Sequence, residues 1–162
     1  MSQGSTLVDL YRAEGVRRVK IGFTDIDGVM RGKYLSLDKF ASIADGTSGF
    51  CDCVFGWDVD DQLYDNASYT GWHTAFPDAT YRIDLSSERR LADEQNIPLF
   101  LADFVGEGEY HPICPRNQLK RMIDRASSEG VASRMAFEYE FFVFKETPAS
   151  AAAKHYRDLE PL

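Results

Sequence analysis

The sequence has no long apolar run, and nothing in it approaches the roughly 18 consecutive apolar residues of a membrane-spanning helix. Basic side chains are the minority: 18 Lys and Arg stand against 26 Asp and Glu, a formal charge of −8 with a pI near 4.8. That balance argues against nucleic acid or an anionic membrane as partner, since phosphate binding needs clustered Lys and Arg. The first ten residues lack the basic-then-apolar layout of a secretory signal. Cysteine is sparse and odd in number, three in 162 residues. Cys51 and Cys53 would point the same way along a strand, but a bridge between residues so close is strained. All three therefore read as reduced thiols of a cytoplasmic protein. The three histidines, His73, His111 and His155, are too scattered for a metal cluster. Cys51-x-Cys53 lacks the further ligands of a zinc site and reads as buried filler.

Apolar and aromatic side chains are abundant. Hydrophobic residues make up 44% of the chain and aromatics 13%, with 11 Phe and 8 Tyr, which excludes a disordered or low-complexity protein. The length suits one ordinary domain, or a small domain plus part of another. Residues 5–15 pattern as a short helix, with Ser5 or Thr6 as cap and Gly15 as terminator. Val19 to Thr24 and Met30 to Leu35 pattern as strands about Asp27-Gly28, a hairpin. Ser36 can cap a second short helix, in which Leu37, Phe40 and Ile43 share a face. Gly49 to Phe55, Thr80 to Leu85 and Pro98 to Val105 are further strands. Residues 56–78 read as loop, and Ser86 to Asn96 as a polar connection. Gly106, Gly108, His111, Pro112 and Pro115 cluster as a connection between domains. Residues 1–112 then form one domain and 113–162 begin another. From Pro115 the period is helical, with Leu119, Met122, Ile123 and Ala126 on one stripe and Gly130 beyond the end. Arg134 to Lys145 is the strongest strand pattern, and Thr147 to Leu162 reads as loop. Without regular strand–helix alternation, the fold class is α+β, helices on a mixed sheet.

Two features carry chemistry. On the strand pattern, Glu138 and Glu140 share a face with Ala136, Phe142 and Phe144, their backbones roughly 6.6 Å apart. Carboxylates hemmed in by aromatics call for a neutralising cation, and oxygen-only ligands suit Mg²⁺ or Mn²⁺. A solvated strand face is the plainer alternative. The second feature, Ile21 to Met30, is similar to the strand-plus-DxDG opening of haloacid-dehalogenase-type phosphatases, in which Asp25 would be the nucleophile and Asp27 the acid/base. That fold needs repeated βα units, and the chain offers a hairpin, so a turn at Asp27-Gly28 is the favoured reading.

Taken in order, the segments resemble the N-terminal part of the glutamine synthetase family. The pieces are Asp27-Gly28-Val29-Met30-Arg31-Gly32-Lys33, Phe76-Pro77-Asp78-Ala79-Thr80, Asp103, Pro115-Arg116 and Glu138-Tyr139-Glu140-Phe141-Phe142. The resemblance covers essentially the whole chain. It implies a β-grasp domain followed by the first helix and metal-binding strand of the catalytic domain, with Glu138 and Glu140 as ligands of two Mg²⁺ or Mn²⁺ ions. It also implies ATP-dependent ligation, in which glutamate attacks the γ-phosphate and ammonia or an amine captures the γ-glutamyl phosphate. Ring assembly is implied too, the β-grasp domain of one subunit completing the next subunit's site. Ammonia-using members carry D-G-S-S in this domain. Here the region is Phe55-Gly56-Trp57-Asp58-Val59-Asp60, without the serines, with Asp58 in the place of the ammonium-binding Asp and Asp60 competing; a loop Asp capping its own turn is the plainer alternative for Asp58. The departure points towards the amine or polyamine branch. Residues for glutamate, most of the ATP site and the other metal ligands lie beyond the E-x-E-F-F segment in the family, so this chain alone is expected to be inactive. The alternative from another class is a non-catalytic β-grasp assembly module.

Overall fold

The computed structural model describes residues 2–108 and 110–162. Two compact units are present, one ending at Val131 and the other running from Ala132 to Leu162. Among the described residues no helix is long and apolar enough to cross a membrane.

The first unit opens with α1 (Gln3–Ala13), capped by the Ser2 side chain, which accepts from the Ser5 N–H. Capping thus falls one turn earlier than Ser5 or Thr6. Gly15, at φ 73°, ends it in the left-handed conformation that suits a residue without Cβ. β1 (Arg18–Thr24) and β2 (Met30–Ser36) pair antiparallel, with Gly28 at φ 81° in the turn. Ser36 caps α2 (Leu37–Ile43), accepting from the Lys39 N–H. β3 (Ser48–Cys51) gives way to a 3₁₀ turn at Asp52–Phe55, so the strand pattern at Gly49 to Phe55 is realised only in its first half.

β4 (Asp78–Leu91) and β5 (Ile97–Phe104) complete a five-stranded sheet in the order β2-β1-β5-β4-β3. β1 and β5 run parallel at its centre and the other neighbours antiparallel. This is an α+β fold of the β-grasp kind. β4 runs on through most of the stretch expected to be a polar connection. A bulge between Asp84 and Arg89 absorbs the polar residues, and the Ser87 hydroxyl accepts the Leu101 N–H in the ladder's place.

Alternation puts Val19, Ile21 and Phe23 of β1, and Phe100, Ala102 and Phe104 of β5, on the face covered by α1 and α2. Val8, Tyr11, Phe40 and Ile43 close that core. Phe40 stacks on Phe100 at 5.2 Å, and Phe23 meets the edge of Tyr81 at 5.1 Å. α3 (Pro115–Ser128) follows, with Pro at its first position.

The second unit departs from the strand expectation. Residues 131–143 form no ladder, and Phe137 is 90% exposed. A strand is held by its neighbours, and here the one pairing is an isolated bridge, Phe144 to Pro161. The apolar–acidic alternation of Arg134 to Lys145 therefore has nothing in this unit to lie against. The stretch read as loop instead holds α4 (Pro148–Ala153), begun by a reciprocal cap between Thr147 and Ser150.

Gly22 and Gly32 face each other across β1 and β2. A Cβ on Gly32 would lie 1.9 Å from the Ile21 carbonyl oxygen, inside any allowed contact. Gly32→Ala is expected to lower stability by about 1–3 kcal/mol, read as a lower urea midpoint with an unchanged slope.

Candidate functional site

The hairpin turn is built on Asp25, 1% exposed and without the water that would otherwise hold its charge. Three donors replace water: the N–H groups of Asp27 (3.0 Å) and Val29 (2.8 Å), and Arg31 Nε at 2.8 Å. With both oxygens engaged, Asp25 is a turn organiser, which agrees with the hairpin-turn reading of Asp27-Gly28. Asp27 lies in the exposed turn, its carboxylate accepting from Tyr64 Oη at 3.4 Å.

Arg31 reaches further. Its Nη1 pairs with Asp61, and its Nη2 donates to the Asp58 carbonyl at 2.9 Å. The guanidinium also lies over the Trp57 ring, 5.4 Å from its centre. One planar fork therefore joins the hairpin to the 56–64 loop, a geometry that lysine could not reproduce. Within that loop, Asp58 Oδ1 accepts from the N–H groups of Asp60 and Gln62, each at 2.9 Å, so Asp58 caps its own turn. Asp60 is exposed beside it. The acidic loop is a shaped feature with one Asp58 oxygen committed to holding that shape.

Beside this latch lies a cavity of about 550 Å³ whose wall includes Met30, Lys33, Phe50, Cys51, Cys53 and Trp57. The Lys33 ammonium sits 5.0 Å from the Phe50 ring centre. Burial pushes the Cys53 thiol up to about 12, and the neighbouring Cys51 thiol adds to the rise.

The connection into α3 is equally organised. Arg116 Nη1 holds both Asp103 oxygens at 2.8 Å, and its Nη2 holds Asp84 at 2.6 Å. Lys120 adds a contact to Asp103 at 2.5 Å. Burial alone would raise the Asp84 carboxyl, but the Ser86 hydroxyl, Arg116 and Lys120 together hold it down at about 2. His111, 2% exposed, turns Nδ1 towards the N–H groups of Cys114 (3.2 Å) and Ile113 (3.4 Å). That nitrogen is therefore the unprotonated one, and Nε2 donates to Tyr69 Oη at 3.2 Å. Asn117 closes the corner, accepting from the His111 N–H and donating to the Phe104 carbonyl.

Glu138 and Glu140 lie in the second unit on the exposed 131–143 stretch. Among the described residues no group of three or more His, Cys, Asp or Glu is placed to hold a metal. The pair supplies two hard oxygen donors two residues apart, which suits part of a Mg²⁺ or Mn²⁺ shell and leaves the rest to other groups. The sequence motifs include Arg31, Asp103 and Arg116 but carry no sign of what joins them. Asp84 has no sequence signal, because its partner Arg116 stands 32 residues away in the chain.

A family model described as glutamine synthetase, catalytic domain, matches residues 112–161. Type-1 glutamine synthetase 2 of Dictyostelium discoideum is 44% identical over 145 residues, 89% of this chain and 28% of that protein. The chain belongs to the glutamine synthetase family. Glutamate–isopropylamine ligase of a Pseudomonas species is 32% identical over 157 residues, covering 95% of this chain and 34% of that protein. Among solved structures, a GmaS–ADP complex superposes with a TM-score of 0.57 at 25% identity, covering 76% of this chain and 26% of that one. The chain thus spans about a third or less of the glutamine synthetase family relatives it matches.

Burial is the main force holding His111 below the ordinary imidazole value, with Asp52 pulling the other way. As the pH falls below about 6.5, the unfolded chain takes up this proton before the folded one does. Stability contributed here is full above that value and is lost on descent towards the folded-state pKa. The Asp84 contribution is lost only in strong acid, between its ordinary value and about 2. The urea midpoint should therefore be lower near pH 5.5 than near pH 7.5. His111→Asn keeps an acceptor for the Cys114 N–H and should remove that difference.

Proposed function

We propose that this chain is the β-grasp domain and the opening of the catalytic domain of an ATP-dependent ligase joining glutamate to ammonia or an amine. In this reading the divide lies at residue 112, beside the start of the catalytic-domain match, while the compact units of the chain part later, after Val131. The carrying observation is family similarity over 89–95% of the chain, through the Asp-Gly…Arg-x-Lys hairpin and Glu138-x-Glu140 alike. The Gly56-Trp57-Asp58 loop has no serines at the positions expected of ammonia users. Together with the likeness to an isopropylamine ligase, this favours an amine acceptor.

In this reading Glu138 and Glu140 hold Mg²⁺ or Mn²⁺, which when bound neutralises phosphate charge on ATP. Their exposure in this chain fits a site whose remaining walls come from elsewhere in the intact enzyme. Asp58 presents its carboxylate to a cationic acceptor, and the Arg31 latch fixes the loop that carries it. That loop faces the catalytic site of a neighbouring copy in a ring. A chain holding two metal ligands and one acceptor-binding Asp does not turn over alone, because phosphoryl transfer needs several further stabilising groups.

The test is glutamate-dependent phosphate release from ATP, with ammonia and with small amines. In a longer protein carrying this segment, Glu138→Gln and Glu140→Gln should each lower kcat by about 10²-fold or more. The 162-residue chain should release none. Turnover by this chain at the rate of the longer protein, or full activity in both variants, would overturn the proposal.

A further inference from the structure

The pattern Cys51-x-Cys53 has no place in the ligase chemistry, yet the fold arranges it specifically. β3 ends at Cys51, and the 3₁₀ turn begins at Asp52. The two residues thus stand on either side of the change from strand to turn, and both line the same cavity of about 550 Å³. Both residues are half-buried and free, and the Cys51 thiol donates to the Phe76 carbonyl at 3.5 Å. The third cysteine, Cys114, is buried behind α3's first turn and does not line the cavity. Phe50, Val54, Trp57 and Met30 give the cavity an apolar wall.

Two thiols one residue apart are poorly disposed to a direct S–S bond of about 2.05 Å. An atom bridging them relaxes that requirement. Soft sulfur donors select thiophilic centres, and each bond formed displaces a thiol proton. We infer that Cys51 and Cys53 form a two-sulfur site for a thiophilic centre, trivalent arsenic bearing an apolar substituent or a two-coordinate closed-shell cation such as Cu(I). With phenylarsine oxide the step is a condensation without change of oxidation state. Two As–S bonds form, the arsenic–oxygen bond is lost, and the oxygen leaves with both thiol protons as one water. The phenyl group has the apolar wall to lie against. With Cu(I), two thiol protons are released and no electron moves.

The probe is phenylarsine oxide added to the intact chain, read by non-denaturing mass spectrometry, with Cu(I) competition against bicinchoninate as the second arm. One phenylarsenic unit per chain is expected for the wild type and for Cys114→Ser, and none for Cys51→Ser or Cys53→Ser. A dithiol such as 2,3-dimercaptopropanol should strip the adduct where the same excess of a monothiol does not. That reversal is read on unaltered protein and does not depend on the variants folding. In the second arm, one Cu(I) per chain should be withdrawn from bicinchoninate. Absence of the arsenic adduct from the wild type, its persistence in folded Cys51→Ser or Cys53→Ser, or its removal by the monothiol would overturn the site. Arsenic binding without Cu(I) would narrow it to arsenicals and overturn the cation half.

Discussion

Much of this molecule is organised around one buried carboxylate and the guanidinium that meets it. Asp25 cannot be buried at 1% exposure unless donors surround it, and Arg31 supplies the charge that two backbone N–H groups lack. Because Arg31 has donors to spare, the same side chain fastens the 56–64 loop through Asp61 and the Asp58 carbonyl. The hairpin register then sets Lys33 over Phe50 and opens the cavity beside Cys51 and Cys53. A buried pair of this kind adds little net stability over an apolar substitute. Its consequence here is positional: an acidic loop that would otherwise be loosely held has a defined shape.

A second clamp does the same for the route out of the β-grasp sheet. Arg116 grips Asp84 on β4 and Asp103 on β5, so α3 starts from a fixed place on the sheet. His111 and Asn117 satisfy the backbone groups of the connection, where an unpaired N–H would be costly.

The sequence made the hairpin legible because Asp27-Gly28 sits between two apolar-alternating runs, and α2 and α3 because their caps and stripes agree. The sequence pattern shortens β4 because Ser86 to Asn96 looks like a connection. Ser86 to Glu88 in fact lie in a bulge and Arg89 to Leu91 pair with β5, a tertiary solution that no local pattern announces. Arg134 to Lys145 failed in the opposite way. Its strand alternation is strong, but a strand exists only with a partner, and among the described residues this segment makes a single bridge, at Phe144. Of the candidate site, the proposed residues Glu138, Glu140 and Asp58 stand out by spacing and resemblance. The salt links through Arg31 and Arg116 do not, because partners 30 and 32 residues away leave no periodic trace.

The central claim is that Arg31 holds the acidic loop in shape, and amide hydrogen exchange tests it most directly. The Asp60 and Gln62 amides donate to Asp58 Oδ1 only while the loop keeps its turn. In Arg31→Ala both should lose protection, while the central β1 and β5 amides keep theirs. If Asp60 and Gln62 remain as protected in Arg31→Ala as in the unaltered chain, the loop shapes itself and the claim fails.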